Sequence, residues 1–193
     1  MAVAQNAKLI GLIAIADRLR ESSRSAVARL KEMGIHVSML TGDNAHVASD
    51  IAAAAGITDF KAAVMPGDKA RLVRESKQSG NTAGMVGDGI NDTPAIAAAD
   101  VSFAFTAGAD MAIHAADITL MRNDMNSVVE AIRLSKATVA KIHQNLFFAF
   151  VYNVLGIPLA AFGLLNPVVA GAAMAMSSVS VVSNSLLLKR WRP

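Results

Sequence analysis

Between Leu146 and Leu188 the chain runs for 43 residues without an Asp, Glu, Lys, Arg or His. No other feature constrains the fold as much, because so long an apolar stretch must find an apolar surrounding. Asn166-Pro167 breaks it near its middle, leaving Leu146–Leu165 and Val168–Leu188. Each piece has about the ~20 residues that a membrane-spanning helix needs. Gly156, Pro158, Gly163, Gly171 and a run of Ala and Ser are tolerated in such helices, where small residues let neighbours approach closely. The alternative is a buried hairpin in a soluble core, and the 43 uncharged residues weigh against it.

The charge distribution agrees with a membrane pair. All 15 acidic residues lie at or before Glu130, and 15 of the 18 Lys and Arg lie at or before Lys141. The net charge of +3 therefore resides in Lys189, Arg190 and Arg192, directly after the apolar run. With Lys136 and Lys141 ahead of the first span, the basic flanks predict two cytoplasmic ends and an Asn-Pro turn on the far side of the membrane. A nucleic-acid surface would need a broader basic face, and 5% aromatic residues offer no stacking platform, so no nucleic-acid partner is expected. Hydrophobic residues at 53% and charged residues at 17% exclude a disordered chain. Without cysteine, disulfides and thiolate metal sites are excluded within these 193 residues. The first apolar run, Leu9–Ala16, is short and lacks a basic leader, so no signal peptide is expected.

Ahead of the spans the pattern alternates. Strand-like runs fall at Leu9–Ala16, His36–Leu40, Lys61–Val64, Thr82–Val86, Val101–Phe105 and Asp117–Leu120. Helical patterns lie between them, at Ser22–Met33, Ala45–Ala55, Gly67–Gln78, Thr93–Ala98 and Ala109–His114. This alternation predicts an α/β fold with a parallel sheet and flanking helices, followed by a two-helix transmembrane hairpin. The boundaries expected are 1–124 for the α/β domain, 125–145 for a connecting helix, 146–188 for the spans and 189–193 for a basic cytoplasmic tail. The helix Met125–Asn145 would run from the sheet toward the first span.

In parallel sheets the site lies beyond the carboxyl ends of the strands, and three loops there are chemically loaded. Thr41-Gly42-Asp43-Asn44 combines a hydroxyl, a glycine and a helix start, which suits a phosphate oxygen. Plain helix capping by Asp43 or Asn44 explains it as well. Gly87-Asp88-Gly89-Ile90-Asn91-Asp92 puts two carboxylates on a glycine-bounded turn, able to hold Mg²⁺ through oxygen ligands. A tight loop with a helix capped at Asp92 or Thr93 is the alternative. Pro66-Gly67-Asp68-Lys69 opens a helix from which Lys69 could reach a phosphoryl group, or could simply be solvated.

In this order, the three strings resemble the haloacid-dehalogenase-like phosphotransfer domain, and within it the later half of the phosphorylation domain of P-type ATPases, with Gly-Asp-Gly-Ile-Asn-Asp the most diagnostic. The resemblance implies a partial Rossmann-like sheet in which Asp88 holds Mg²⁺, Asp92 supports it, and Thr41 and Lys69 contact an aspartyl phosphate. Thr41, Gly42, Asp43, Lys69, Asp88, Asn91 and Asp92 are thus the implied catalytic set, with Asp17 and Arg18 in a regulatory segment of unassigned role. Tyr152-Asn153 with Pro158, and Met174-Ala175-Met176-Ser177-Ser178, are similar to the last two helices of copper-transporting heavy-metal ATPases. This implies a Cu⁺ path, shared with Ag⁺, along Tyr152, Asn153, Met174 and Ser178. A thioether suits a soft monovalent ion, and polar groups in a span are costly toward lipid. Helix packing by Met, Ser and Asn is the plain alternative. A zinc- or cadmium-type pump would be expected to carry a charge in its last span, and this one has none.

The resemblance also implies what is absent. The family's Asp-Lys-Thr-Gly-Thr string, its nucleotide-binding domain, its earlier helices and its mid-membrane cysteine pair do not occur here. A carboxyl-terminal portion of a multi-pass pump in the plasma or inner membrane is expected, using Mg²⁺ and ATP when complete and inactive alone. Its implied partners are lipid, the rest of the pump or a complementary fragment, and a copper-delivering protein. A non-catalytic membrane-anchored module is the second reading, and a membrane-tethered small-molecule phosphatase the third.

Overall fold

A computed structural model of the chain describes residues 2–6, 8–12, 19–106, 108–164 and 166–191. It divides into two compact units, Met1–Val128 and Val129–Pro193.

The first unit opens with an antiparallel hairpin, β1 (Ala2–Gln5) and β2 (Lys8–Leu12). Only the second strand was expected, and as part of a parallel sheet. The hairpin turns at Asn6, whose φ of 51° is the left-handed geometry that two-residue hairpin loops require. Residues 13–16 of that expected strand, and Asp17 and Arg18, lie outside the described residues. Next come α1 (Glu21–Glu32), β3 (Ser38–Leu40), α2 (Ala45–Ala55), β4 (Asp59–Lys61) and α3 (Pro66–Gln78). After these follow β5 (Gly84–Gly87), α4 (Thr93–Ala98), β6 (Val101–Phe105), α5 (Asp110–Ala115) and β7 (Ile118–Leu120). The α/β alternation with parallel pairing is as expected: β3 pairs with β4, β5 with β6 and β6 with β7, all parallel. Among the described residues the five strands form two separate ladders, so β3 and β5 each have one edge without a strand partner.

One strand is displaced from its expected place. Lys61–Val64 reads as apolar and strand-like, yet the ladder pairs Ser38, Met39 and Leu40 with Asp59, Phe60 and Lys61. Ala63, at φ 52°, turns the chain away instead. That left-handed geometry is uncommon for a residue with a Cβ, and here two backbone bonds hold it, as the next section describes.

The core is built from small side chains. Helix α2 buries Ala48, Ala52 and Ala55 on one face, and Ala26, Ala70, Ala95, Ala104 and Ala112 are also buried. Ile96, Phe103, Phe105 and Leu120 supply the bulk. Alanine faces let helices approach the sheet closely, which keeps the loops at the strand ends near one another. Beneath them Asp117 accepts hydrogen bonds from both the hydroxyl and the N–H of buried Ser102 (2.6 and 2.9 Å). These bonds, the hydroxyl's first, hold the Asp117 carboxyl below its ordinary value of 3.8.

The second unit continues α6 (Asn126–Ala161), one unbroken helix of 36 residues. The sequence reading divides this segment at Asn145 and carries the span on to Leu165. The helix instead ends four residues sooner. Gly163, at φ 68°, donates to Ala160 O, and Leu164 donates to Leu159 O. This paired closure needs a left-handed residue, and glycine supplies it without a Cβ clash. Pro158 lies inside the helix and leaves one carbonyl of the preceding turn without its usual donor. Asn166 then caps α7 (Pro167–Leu187), accepting from Val168 N–H at 2.9 Å. A short 3₁₀ turn, Leu188–Arg190, follows. Both helices are long and apolar enough to cross a membrane, each with a mean hydropathy of 1.4 and an unburied apolar stretch. A polar clasp joins them at the end away from the turn. Lys141 Nζ donates to Asn184 Oδ1 (2.8 Å), Asn184 Nδ2 to Asn145 Oδ1 (2.8 Å), and Asn145 Nδ2 to Ser185 Oγ (2.7 Å).

Replacing Asn184 with Leu removes two of these bonds and should loosen the hairpin by about 1 kcal/mol, within the range for hydrogen bonds between membrane helices. A thermal melt in detergent micelles reads this, and an unchanged midpoint would mean that apolar packing alone sets the pairing. For Asp117 the folded pKa is depressed, so its contribution to stability is present above about 3.8 and is lost as pH falls through the folded value. Asp117→Asn should therefore flatten the acid limb of the urea midpoint plotted against pH, while leaving the slope near neutrality unaltered.

Candidate functional site

Strand β5 ends at Gly87, and the next residues form a 3₁₀ turn, Ile90–Asp92, that runs into α4. Asp92 stands at the N-cap position of α4 without accepting a capping bond. Its Oδ1 instead receives Lys69 Nζ at 2.7 Å, with both side chains about 15% exposed (14% and 15%). Lys69 is therefore a partly buried cation held at the site. The solvated-lysine alternative does not hold, nor does capping by Asp92. Gly87 makes this arrangement possible, since a Cβ there would stand 2.7 Å from the Cβ of Asp92.

Asp88 has a different environment. Its side chain is exposed and makes no hydrogen bond or ion pair with the described residues. Asp88 and Asp92 both line a cavity of about 360 Å³ at the end of β5, with Arg20, Ile51, Phe105 and Met125 among its walls. One unpaired carboxylate, with a second beside it, fits a hard divalent cation that keeps several of its waters. Among the described residues no third His, Cys, Asp or Glu joins them, so any further ligand must be water, backbone or substrate oxygen.

Thr41, Gly42 and Asp43 form their own turn beyond β3. Thr41 Oγ1 donates to Asp43 Oδ2 (2.7 Å) and accepts from Asp43 N–H (3.1 Å). Asn44, and not Asp43, caps α2, accepting from Val47 N–H at 3.1 Å. No direct bond joins this turn to Lys69 or Asp88 among the described residues. It is linked to them through the chain between β4 and α3: Val64 N–H donates to Thr41 O (2.9 Å) and Ala63 N–H to Asp43 O (2.7 Å). That segment leads directly into α3 and Lys69, which explains the unusual φ at Ala63. Asn91 is exposed on the 3₁₀ turn.

Arg20 was not singled out from the sequence. It lines the cavity and donates through Nη1 to the backbone and side-chain oxygens of Asn123. The signal was its place two residues beyond the Asp17-Arg18 pair.

In the helical unit a second cavity, of about 240 Å³, lies between α6 and α7. Tyr152, Asn153 and Met174 line it with Gly156, Ala170 and Ala173. Ser178 is not among its lining residues, and its hydroxyl donates to Met174 O at 3.3 Å. Asn153 Nδ2 donates to Ala149 O at 2.9 Å. With the Asn153 and Ser178 hydrogens engaged within their own helices, Asn153 Oδ1, the Tyr152 hydroxyl oxygen and the Met174 thioether are the lining atoms left for a cation.

The family described as haloacid dehalogenase-like hydrolase matches residues 2–100. Over 99% of its length the chain is 53% identical to the probable copper-transporting ATPase PacS of Synechocystis, covering 27% of that protein. It is 52% identical to a copper-exporting P-type ATPase of Bacillus subtilis over 98% of its length, covering 24% of that protein. It spans about a quarter of the length of these curated relatives. Among solved structures, a zinc-transporting PIB-type ATPase in an E2·Pi state aligns over 97% of this chain and 31% of its own, with a TM-score of 0.88 and 35% identity.

Gly87→Ala should force Asp92 away from its place and destabilise the α/β unit by about 1–3 kcal/mol, the usual cost of overpacking. Urea unfolding measures this, and a wild-type midpoint would show that Asp92 relaxes freely.

Proposed function

From the premise that this chain belongs to the haloacid dehalogenase-like hydrolase family, we propose that it serves as the phosphorylation-domain and last-two-helix portion of an ATP-driven Cu⁺ efflux pump, with Ag⁺ an alternative cargo. The observation that carries the reading is the cavity between α6 and α7. It places a thioether, the donor that suits a soft monovalent ion, beside an amide oxygen and a phenol in a charge-free hairpin. Membership in the haloacid dehalogenase-like hydrolase family and 52–53% identity to copper ATPases support the same assignment.

In the α/β unit, Asp88 would hold Mg²⁺, with Asp92 beside it. The bound cation would offset charge on phosphoryl oxygens. Lys69, held ready by Asp92, would contribute a second positive charge to the transferred group. Thr41 would orient one of its oxygens from the turn beyond β3, with Gly42 and Asp43 shaping that turn and Asn91 completing the loop beside the carboxylates. ATP itself would be held mainly by a domain outside these 193 residues. The γ-phosphoryl would pass from ATP to a carboxylate oxygen, releasing ADP, and water would later cleave the acyl phosphate. The acceptor carboxylate would lie on another segment, since no Asp-Lys-Thr-Gly-Thr string occurs here. The helix α6, shared by domain and hairpin, would transmit the change. Both ends would face the cytoplasm, in a plasma or inner membrane, and a copper-delivering protein would be a partner of the complete pump.

A second reading has one observation in its favour. The unpaired edges of β3 and β5 among the described residues suit association with a complementary fragment that supplies a strand. In that case the chain is a non-catalytic membrane-anchored module until its partner arrives.

The test uses the 193-residue chain in micelles. Anaerobic competition with a Cu⁺ chelator should give a saturable site whose affinity drops at least about tenfold in Met174→Leu and in Asn153→Leu, as for loss of a ligand. Equal binding by wild type and both variants would remove the transport assignment. With radiolabelled ATP and Mg²⁺ the chain should form no acid-stable phosphoenzyme, and a labelled band lost in Asp88→Ala would instead establish a complete catalytic unit.

A further inference from the structure

The loop after β6 lies against the main chain of Asp88. Ala109 N–H donates to Asp88 O at 2.8 Å, and Gly108 N–H donates to Phe105 O at 2.8 Å. A Cβ on Gly108 would stand 2.6 Å from Asp88 O, 2.9 Å from Phe105 O and 3.1 Å from Asp88 Cα. All three obstacles are backbone atoms, and Phe105 is itself buried at the end of β6. No rotation of a side chain could relieve the clash. Gly108 does not occupy the left-handed region, so what it supplies is space for the two segments to touch.

Asp88 needs such a contact more than its neighbours do. Lys69 and Asp92 hold one another, and Asp92 is also braced against Gly87. The Asp88 carboxylate has no partner among the described residues, so its direction follows from where its peptide is fixed. On β5 that peptide has just left the ladder, whose last pair is Gly87 with Ala104. The next fixed point is the bond from Ala109.

We propose that Gly108 and Ala109 are positioning residues for the Asp88 carboxylate: the β6–α5 loop sets the Asp88 peptide and so aims the side chain at the cation. This inference rests on the reading of Asp88 as a Mg²⁺ ligand. The glycine sets how closely the loop approaches, and the alanine N–H sets its register. Neither touches the cation, and their effect on it runs through one peptide carbonyl.

The experiment titrates Mg²⁺ into the intact chain in detergent micelles, following backbone amide resonances and the heat of binding. In the wild type, the Gly108 and Ala109 amides should shift with the same midpoint as those of Asp88 and Gly89. Gly108→Ala should retain the native circular dichroism and raise the Mg²⁺ dissociation constant about 10–100-fold, as loss of outer-shell support typically does. Gly84→Ala, whose Cβ would meet nothing nearer than 3.8 Å, should bind as the wild type does. Wild-type affinity in Gly108→Ala overturns the proposal, as do Gly108 and Ala109 amides that stay still while Asp88 titrates. Should Gly108→Ala fail to fold, the wild-type amide titration decides alone. A distinct result, Mg²⁺ binding unaltered by Asp88→Ala, removes the underlying ligand assignment and the proposal with it.

Discussion

The ion pair between Lys69 and Asp92 is the interaction on which the arrangement of the site depends. At 2.7 Å and largely screened from water, it joins the first turn of α3 to the turn after β5, two segments 23 residues apart in sequence. A lone ammonium or carboxylate in this position would carry a desolvation cost that neither could offset by itself. Paired, each fixes the other's rotamer. The close fit of Gly87 against Asp92 and the backbone bonds from residues 63 and 64 to the Thr41 turn extend the same framework. Three loops from three strand ends are thereby tied to one another, although of the three only the turn after β5 lines the cavity.

Much of this could be read from the amino-acid order. The alternation of strands and helices is reproduced nearly element by element, because continuous apolar strands bounded by Gly, Asp and Asn leave little ambiguity. The carboxylate loop and the lysine helix were legible through the order in which their residues follow successive strands, since each string by itself left a plain structural alternative open. The shift of β4 was not legible, because Asp59 enters the ladder through pairing with β3 and against its local preference. The β1–β2 hairpin was missed for lack of an Asn-Gly turn. Gly108 was invisible for a deeper reason. Its role is defined by atoms twenty residues away, and a single glycine in a loop carries no periodic signal.

The helical unit follows different rules. Its alternatives at the sequence level, ligand or gap filler for Met174 and packing or path for Asn153, are narrowed by where donors go. Amide and hydroxyl hydrogens that bond back to the carbonyl four residues earlier are spent on the helix itself. What Asn153 and Met174 present to the cavity is then acceptor in character. Ser178 illustrates the limit of reading a face from spacing alone: four residues from Met174 is the same side of a helix, yet it is absent from the cavity lining.

The closure at Gly163 has a consequence for how such a hairpin enters a bilayer. Between Ala161 and Pro167 no charged group occurs, and several of the turn's polar atoms are already engaged, by Gly163 and Leu164 on one side and by Asn166 on the other. Carrying this turn through hydrocarbon therefore strips little water from it and moves no ion against the membrane potential. In the orientation proposed above, the two helices would partition together as one folded finger, led by its blunt tip, while Lys141 and the basic residues after Leu188 would stay behind in the aqueous phase.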